Sequence, residues 1–332
     1  MKNPILPDKP LISVVFSFRN EEGNLPELLR RLLAVFDQIG HDYEIIFVND
    51  RSTDASLEVL RAARKENPRI KIVTLSRQFG FGPALICGLE HSKGDAVIYL
   101  DADLQDPPEL IPKMLSHWEN DADVVHTKRV ERHGESKIKM WVTRIAYKAI
   151  NQASAITIPE NVGDFKLLSR RAVDQILEIQ EKDPFIRGMP LWIGFKQATV
   201  EYSRLERYSG VTHFSLLRST APALEFIRGI TSFSVWPLYF SLFCGFATAF
   251  FAFMYLLLIV VQRVFFGIHL PGWPALMVTM LFLGGVILIA VGVLGIYVGK
   301  IFEQIQGRPR YVVDDTIGID DAPEKDNRNK SV

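Results

Sequence analysis

Two aspartates one residue apart close an apolar run at Tyr99-Leu100-Asp101-Ala102-Asp103-Leu104-Gln105-Asp106-Pro107-Pro108. Carboxylates so spaced at a strand end can reach one divalent cation together with the diphosphate it bridges, and hard oxygen donors suit Mg2+ or Mn2+. Aspartates at strand ends also cap turns. Here the Pro107-Pro108 pair and the helical pattern Glu109–Asn120 make a defined strand-loop-helix corner. A second carboxylate, Asp50, follows an apolar run in Phe47-Val48-Asn49-Asp50-Arg51-Ser52-Thr53-Asp54. It can accept the imide N–H of a uracil ring; the alternative is that Asp50 and Asp54 cap the helix starting near Thr53. Ser17-Phe18-Arg19-Asn20-Glu21-Glu22 ends a third such run. Three polar strand ends sharing one sheet edge point to a site.

The elements that must position these residues are short β-rich runs at Leu11–Phe18, Tyr43–Val48, Ile70–Leu75, Ala96–Leu100 and Ala122–His126. They alternate with helical patterns at Asn24–Ile39 and Thr53–Asn67, with Ser52 or Thr53 available as N-cap. Such alternation predicts an α/β domain on a mostly parallel sheet, whose ligands gather at the carboxyl ends of the strands. Beyond residue 130 the pattern is less regular, with a basic amphipathic stretch Ser136–Asn151, a turn at Gly163-Asp164-Phe165 and a helix Arg170–Gln180.

Lysine and arginine balance aspartate and glutamate at 38 each, so no basic field exists to attract nucleic acid, and none is expected as a partner. Cys87 and Cys244 lie in segments of opposite character and read as small apolar residues. The first apolar run is short enough for a buried strand, and no cleaved signal peptide is expected. Charge disappears between Arg228 and Arg263 and between Arg263 and Lys300, long enough for two membrane spans.

The predicted organisation is an arm at 1–10, a catalytic domain at 11–213, amphipathic interface helices at 214–236, spans at 237–261 and 274–299 joined by a loop at 262–273, and a tail at 300–332. Arg218, Arg228, Lys300, Arg308 and Arg310 flank the outer ends of the hairpin, which predicts both termini and the catalytic domain on the cytosolic side of a cell membrane. Gly284, Gly285, Gly292, Gly295 and Gly299 would allow close helix packing or a kink-tolerant helix facing lipid. The polar tail beyond Asp314 is not assigned structure.

The combination of Arg77-Gln78-Phe79-Gly80, Gly94-Asp95-Ala96, the Asp101–Pro108 corner, Gly134-Glu135-Ser136, Asn161-Val162-Gly163-Asp164-Phe165, Gly229-Ile230-Thr231-Ser232-Phe233 and Gly295-Ile296-Tyr297-Val298-Gly299-Lys300 resembles the family 2 glycosyltransferases that act on polyprenyl phosphates. That group includes bactoprenol glucosyltransferases and, more distantly, dolichol-phosphate mannose synthases. The resemblance implies a GT-A type domain that moves one hexose, with glucose from UDP-glucose the first choice, onto a polyprenyl phosphate with inversion. It implies Asp101, Asp103 and Gln105 on Mg2+ or Mn2+, with Asp101 also near the ribose. Asp50, helped by Ser17, Arg19 and Glu21, would hold the base. Arg129, Lys139 and Thr143 would meet phosphates of donor or lipid, and Asp164 matches the suspected catalytic carboxylate. A phosphate acceptor is already anionic, so Asp164 would orient it or stabilise an oxocarbenium-like state rather than serve as a base. A homo-oligomer, a flippase and a second transferase in the pathway are implied by the same analogy.

The sequence departs from that pattern in Arg19-Asn20-Glu21, in Asn49-Asp50-Arg51, at His213 and at Ile296. The alternatives are a processive polysaccharide synthase, for which no Q-x-x-R-W element is present, and a non-catalytic scaffold binding a nucleotide sugar.

Overall fold

The computed structural model describes residues 7–130, 162–182, 184–203, 231, 234–266 and 272–319. Of these, residues up to 203 and from 309 onward form one compact unit, and residues 231–308 form another.

In the first unit β1 (Leu11–Phe18), β2 (Asp42–Asn49), β3 (Ile70–Leu75) and β4 (Ala96–Asp101) alternate with α1 (Leu25–Ile39), α2 (Ser56–Glu66) and α3 (Phe81–His91). Then follow α4 (Ile111–Glu119), β5 (Val124–Arg129), β6 (Val162–Ser169), α5 (Arg170–Glu178), α6 (Met189–Trp192), β7 (Gln197–Tyr202) and, at the far end of the chain, β8 (Val313–Ile317). All eight strands join one sheet in the order β7-β5-β6-β4-β1-β2-β3-β8. β4, β1, β2 and β3 are parallel. β6 runs antiparallel to both β4 and β5, β7 is parallel to β5, and β8 is antiparallel to β3.

The central strands are apolar on both faces because helices cover both. Val14, Val15, Phe16, Ile45, Ile46 and Phe47 are fully buried, and Phe16 stacks on Phe47 at 4.9 Å. Leu25, Leu28, Leu32 and Val35 of α1 and Trp118 of α4 pack on one face. Residues Ala84–Leu89 of α3 and Val173 of α5 pack on the other. At Gly88 a Cβ would lie 2.3 Å from Val15 Cγ1, so α3 approaches the sheet as only glycine permits.

The Gly94-Asp95 motif works at the amino end of the strands, away from the site. A Cβ at Gly94 would lie 2.6 Å from Ser13 N, Leu11 N–H donates to Asp95 Oδ2 at 2.9 Å, and Ser13 Oγ donates to buried Glu44 at 2.5 Å. These bonds fix where β4 enters the sheet.

Several expectations are corrected. Gly163-Asp164-Phe165 is no turn but the start of β6. Phe165, Lys166, Leu167 and Leu168 are all buried, so the strand lacks the alternating polarity that would reveal it, and the Gly-Asp pair imitates a turn. The strand placed at Ala122–His126 sits at Val124–Arg129, and α2 starts at Ser56 rather than Thr53, capped by neither Ser52 nor Thr53. Lastly, the tail beyond Asp314 carries strand to Ile317, and β7 was not foreseen. Lys139, Thr143, His213 and the amphipathic stretches at Ser136–Asn151 and before residue 231 lie outside the described residues.

The second unit holds α7 (Trp236–Phe266) and α8 (Trp273–Ile305), with apolar windows at Trp236–Ile259 and Leu276–Ile305. Both are long and apolar enough to cross a membrane. At about 1.5 Å per residue each exceeds a hydrocarbon core of about 30 Å. Tyr297 Oη donates to Ser234 O at 2.7 Å within this unit. A Cβ at Gly284, Gly285, Gly292, Gly295 or Gly299 would meet nothing within 4 Å, so close helix packing does not use these glycines among the described residues. Cys87 is buried, Cys244 half-buried, and both are free thiols.

Candidate active site

Parallel strands β4, β1 and β2 bring their carboxyl ends to one edge, with Ser17 paired to both Asp101 and Val48 in register. Because β6 is antiparallel, its first residues reach the same edge. Tyr99 pairs with Lys166, and two further steps along that register set Asp164 opposite Asp101. Arg129 closes β5 on the same edge. The structure thus gathers Ser17, Asp50, Asp101, Asp103, Asp164 and Arg129 along one line of strand ends.

The loops there are tied to one another by side chains. Thr53 N–H donates to Asn20 Oδ1 at 2.7 Å, Asn20 N–H to Ser52 Oγ at 3.1 Å, and Glu21 N–H to Ser56 Oγ at 2.9 Å. Asp54 accepts from Glu22 N–H and Ser56 N–H at 3.1 Å, tying the loop after β1 to the start of α2, whose N-cap position is Ala55. Glu21 accepts from the Asn24 side chain, while Arg19 is exposed at the rim. Asp50 is buried, accepting Phe79 N–H at 2.6 Å and Gly80 N–H at 2.9 Å. A carboxylate has about four acceptor sites, so a base N–H can still be accommodated. Asn20, Arg51 and Leu104 all hold left-handed backbone, at φ 57°, 59° and 60°. Such strain persists where its surroundings over-determine it, and it concentrates here in the loops of the site edge.

Asp164 carries the sharpest electrostatics. Burial opposes its ionisation, yet the Arg187 guanidinium, with Lys166 and Arg129 nearby, holds its carboxyl at about 2. Arg187 donates from Nε to Oδ1 at 2.8 Å and from Nη2 to Oδ2 at 2.7 Å. Burial pulls the Lys166 ammonium down to about 8 against the attraction of Asp164. Burial likewise takes His126 down to about 4, so its ring is neutral, facing Gln197 Oε1 at 3.0 Å. Arg129 is anchored by donation from Nε to Tyr202 Oη at 3.1 Å, and Tyr202 in turn donates to buried Asp106. Sequence reasoning missed Arg187, Lys166 and the Tyr202–Asp106 brace. The one available signal was a lysine inside the buried run Phe165-Lys166-Leu167-Leu168.

Residues 13–177 match the family described as Glycosyl transferase family 2. The chain is 38% identical over 302 residues to the SfII prophage-derived bactoprenol glucosyl transferase of Shigella flexneri, covering 91% of this chain and 97% of that one. It belongs to glycosyl transferase family 2. A Bacillus subtilis relative, the uncharacterized glycosyltransferase YkcC, is 37% identical over 308 residues, covering 93% of this glycosyltransferase and 94% of the relative. Among solved structures, mannosyl-3-phosphoglycerate synthase from Rubrobacter xylanophilus matches with 17% identity and a TM-score of 0.48, covering 67% of this chain and 73% of that one.

The sheet of this family 2 glycosyltransferase is mixed and mostly parallel within an α/β domain, as expected. Asp101 and Asp103 are both half-buried at the end of β4, and Asp103 Oδ1 accepts Gln105 N–H at 3.1 Å. Among the described residues, no three His, Cys, Asp or Glu side chains are placed to hold a metal by themselves. Two carboxylates and an amide oxygen fit a cation such as Mg2+ or Mn2+, which completes its shell with substrate phosphates.

Proposed function

We propose that this glycosyltransferase moves a single hexose, glucose from UDP-glucose, onto a polyprenyl phosphate at a membrane, with inversion at the anomeric carbon. One observation carries the reading. The likeness to the Shigella bactoprenol glucosyl transferase runs over 91% of this chain, so it takes in apolar helices as well as the catalytic sheet.

Asp101, Asp103 and Gln105 would hold Mg2+ or Mn2+, which when bound supplies positive charge to the leaving diphosphate. Asp50, at the end of β2 beside the Phe79-Gly80 backbone, receives the base, with Ser17, Arg19 and Glu21 forming the neighbouring wall. Arg129, held rigid by Tyr202 and Asp106, faces phosphate charge, joined by Lys139 and Thr143. An acceptor phosphate needs no proton removed at neutral pH. Asp164, ionised because its carboxyl titrates at about 2, therefore orients the acceptor or stabilises positive charge at the anomeric carbon.

β7, which precedes both apolar helices, and β8, which follows them, belong to one sheet, so two crossings in succession would return the chain to the side it left. With the positive flanks, that supports a two-span protein with catalytic domain and termini in the cytosol. A flippase and a second transferase would then handle the lipid-linked sugar, and homo-oligomers are compatible with the fold.

The test is transfer from radiolabelled UDP-glucose, UDP-N-acetylglucosamine and GDP-mannose to undecaprenyl phosphate with Mn2+. One acid-labile lipid-linked monosaccharide, lost in Asp103→Ala, is the expected product. A polymer, or no product from any donor, would refute the reading.

A further inference from the structure

β5 and β7 run parallel and end together, with Arg129 paired to Tyr202 at the last step of the register and Val130 N–H donating to Tyr202 O at 2.9 Å. Paired residues of adjacent strands point to one face, so the two side chains meet. Arg129 donates from Nε to Tyr202 Oη at 3.1 Å, and the same hydroxyl donates to Asp106, whose Oδ1 lies 3.9 Å from Arg129 Nη2. Asp106 belongs to the loop that carries Asp101 and Asp103 out of β4. One hydroxyl therefore joins that loop to the ends of two further strands.

Space for this brace comes from β6. A Cβ at Gly163 would lie 3.4 Å from each of Arg129 Nη2, Thr127 Oγ1 and Tyr202 Oη, and Gly163 immediately precedes Asp164. Asp106 and Tyr202 are buried, whereas the Arg129 side chain keeps 21% exposure, enough to present nitrogen to a ligand. Burial, with the Asp106 carboxylate beside it, pushes the Tyr202 hydroxyl up, so it stays a donor at neutral pH. A guanidinium matches phosphate through a planar fork, and only when that plane is held in the right orientation. Filling the space would need no more than a phenylalanine ring. The hydroxyl is what touches both Arg129 and Asp106.

We propose that Tyr202 is a positioning residue of the transfer reaction, its hydroxyl setting the plane of the Arg129 guanidinium relative to the Asp101–Asp103 loop so that the fork meets a phosphate of the bound substrate. The inference rests on the phosphate role proposed above for Arg129, through which Tyr202 acts. The phosphate is either the diphosphate of the donor or the monophosphate of the acceptor.

The experiment uses the full chain in detergent, varying UDP-glucose and undecaprenyl phosphate separately for wild type, Tyr202→Phe, Arg129→Gln and the double variant. Tyr202→Phe is expected to raise one KM about tenfold, and the double variant to show the KM of Arg129→Gln alone, because residues that act as a unit are not additive. A rise in the donor KM identifies the diphosphate, and a rise in the acceptor KM the lipid phosphate. A merely structural hydroxyl would lower the thermal midpoint and the yield of active protein with both KM values kept. Unchanged KM values in Tyr202→Phe, or losses that multiply in the double variant, would overturn the proposal. Should Tyr202→Phe not fold, Arg129→Lys carries the test, since it keeps the charge and gives up the planar fork with its Nε bond. The same rise in one KM is expected there, and wild-type values would remove the proposal. If wild type transfers no sugar, the functional reading has failed, and Tyr202 is judged by calorimetric titration with decyl phosphate and with UDP plus Mn2+. Weaker binding of one probe to both Tyr202→Phe and Arg129→Gln supports the assignment, and any other pattern removes it.

Discussion

Arg51, in left-handed backbone at the site edge, donates to Asp314 at 2.9 Å across 263 residues of sequence. The loop beside the buried carboxylate Asp50 is thereby joined to β8, the strand that follows both apolar helices. Nearby, Ser76 N–H donates to Val312 O at 2.9 Å, Arg310 donates to the carbonyls of Glu181 and Ile179, and Tyr311 donates to Glu90. The C-terminal strand is thus a working part of the catalytic sheet.

Truncation after Arg308 removes β8 and leaves the β3 edge unpaired, a ready surface for aggregation. The expected result is a lower thermal midpoint and loss of monodisperse protein on size exclusion. Asp314→Ala, which breaks only an ion pair about half exposed on both sides, should change stability by under about 1 kcal/mol.

Gly88→Ala tests the approach of α3 to the sheet. The new methyl would sit 2.3 Å from Val15 Cγ1 and 3.2 Å from Val48 Cγ2, so α3 must shift, at a cost of about 1–3 kcal/mol. Thermal unfolding should show the loss, and an unchanged midpoint would contradict the packing described.

Asp164 gives a pH signature. Its carboxyl titrates at about 2 in the fold, below about 3.9 in an unfolded chain. The ionised group therefore adds stability above about pH 4, and that contribution is lost as the pH falls through about 2. The stability gap between wild type and Asp164→Asn, followed by urea unfolding from acid to neutral pH, should close on the acid side. A gap that widens there would reverse the sign.

The metal role proposed for the Asp101–Asp103 corner is tested by chelation. EDTA should abolish transfer and Mn2+ or Mg2+ restore it, while Asp103→Ala should cost about a hundredfold or more in kcat under saturating metal. Retention of full rate in chelator would exclude the metal role of these carboxylates.

Topology is open to cysteine labelling. In a background lacking Cys87 and Cys244, a cysteine at His269 and one at Ser331 are expected to react from opposite sides of sealed vesicles with a membrane-impermeant maleimide. Reaction of both from one side would rule out two complete crossings.

Much of this was legible in the chain because the signals are local. β1 and β3 were read with their observed limits, since each is an unbroken apolar run between turn residues. Asp101, Asp103 and Ser17 were placed correctly on one edge because parallel βα order alone decides which strand ends coincide. β6 was not legible. Its position between β4 and β5 depends on long-range pairing, and burial on both faces erases the period of two that marks a half-exposed strand. Arg187 escaped for a related reason, since nothing near it in sequence indicates that the turn at 186–188 faces Asp164. β8 reads as a polar tail because, at the sheet edge, Asp314, Asp315 and Thr316 remain exposed.

The place of β8 in the chain also sets an order of events during synthesis. Ribosomes deliver β1 to β7 first, then two long apolar helices, and only afterwards the strand that caps β3 and grips Arg51. Until then the nascent sheet carries an open edge at β3, so the catalytic domain can be completed only after both long apolar helices have been made.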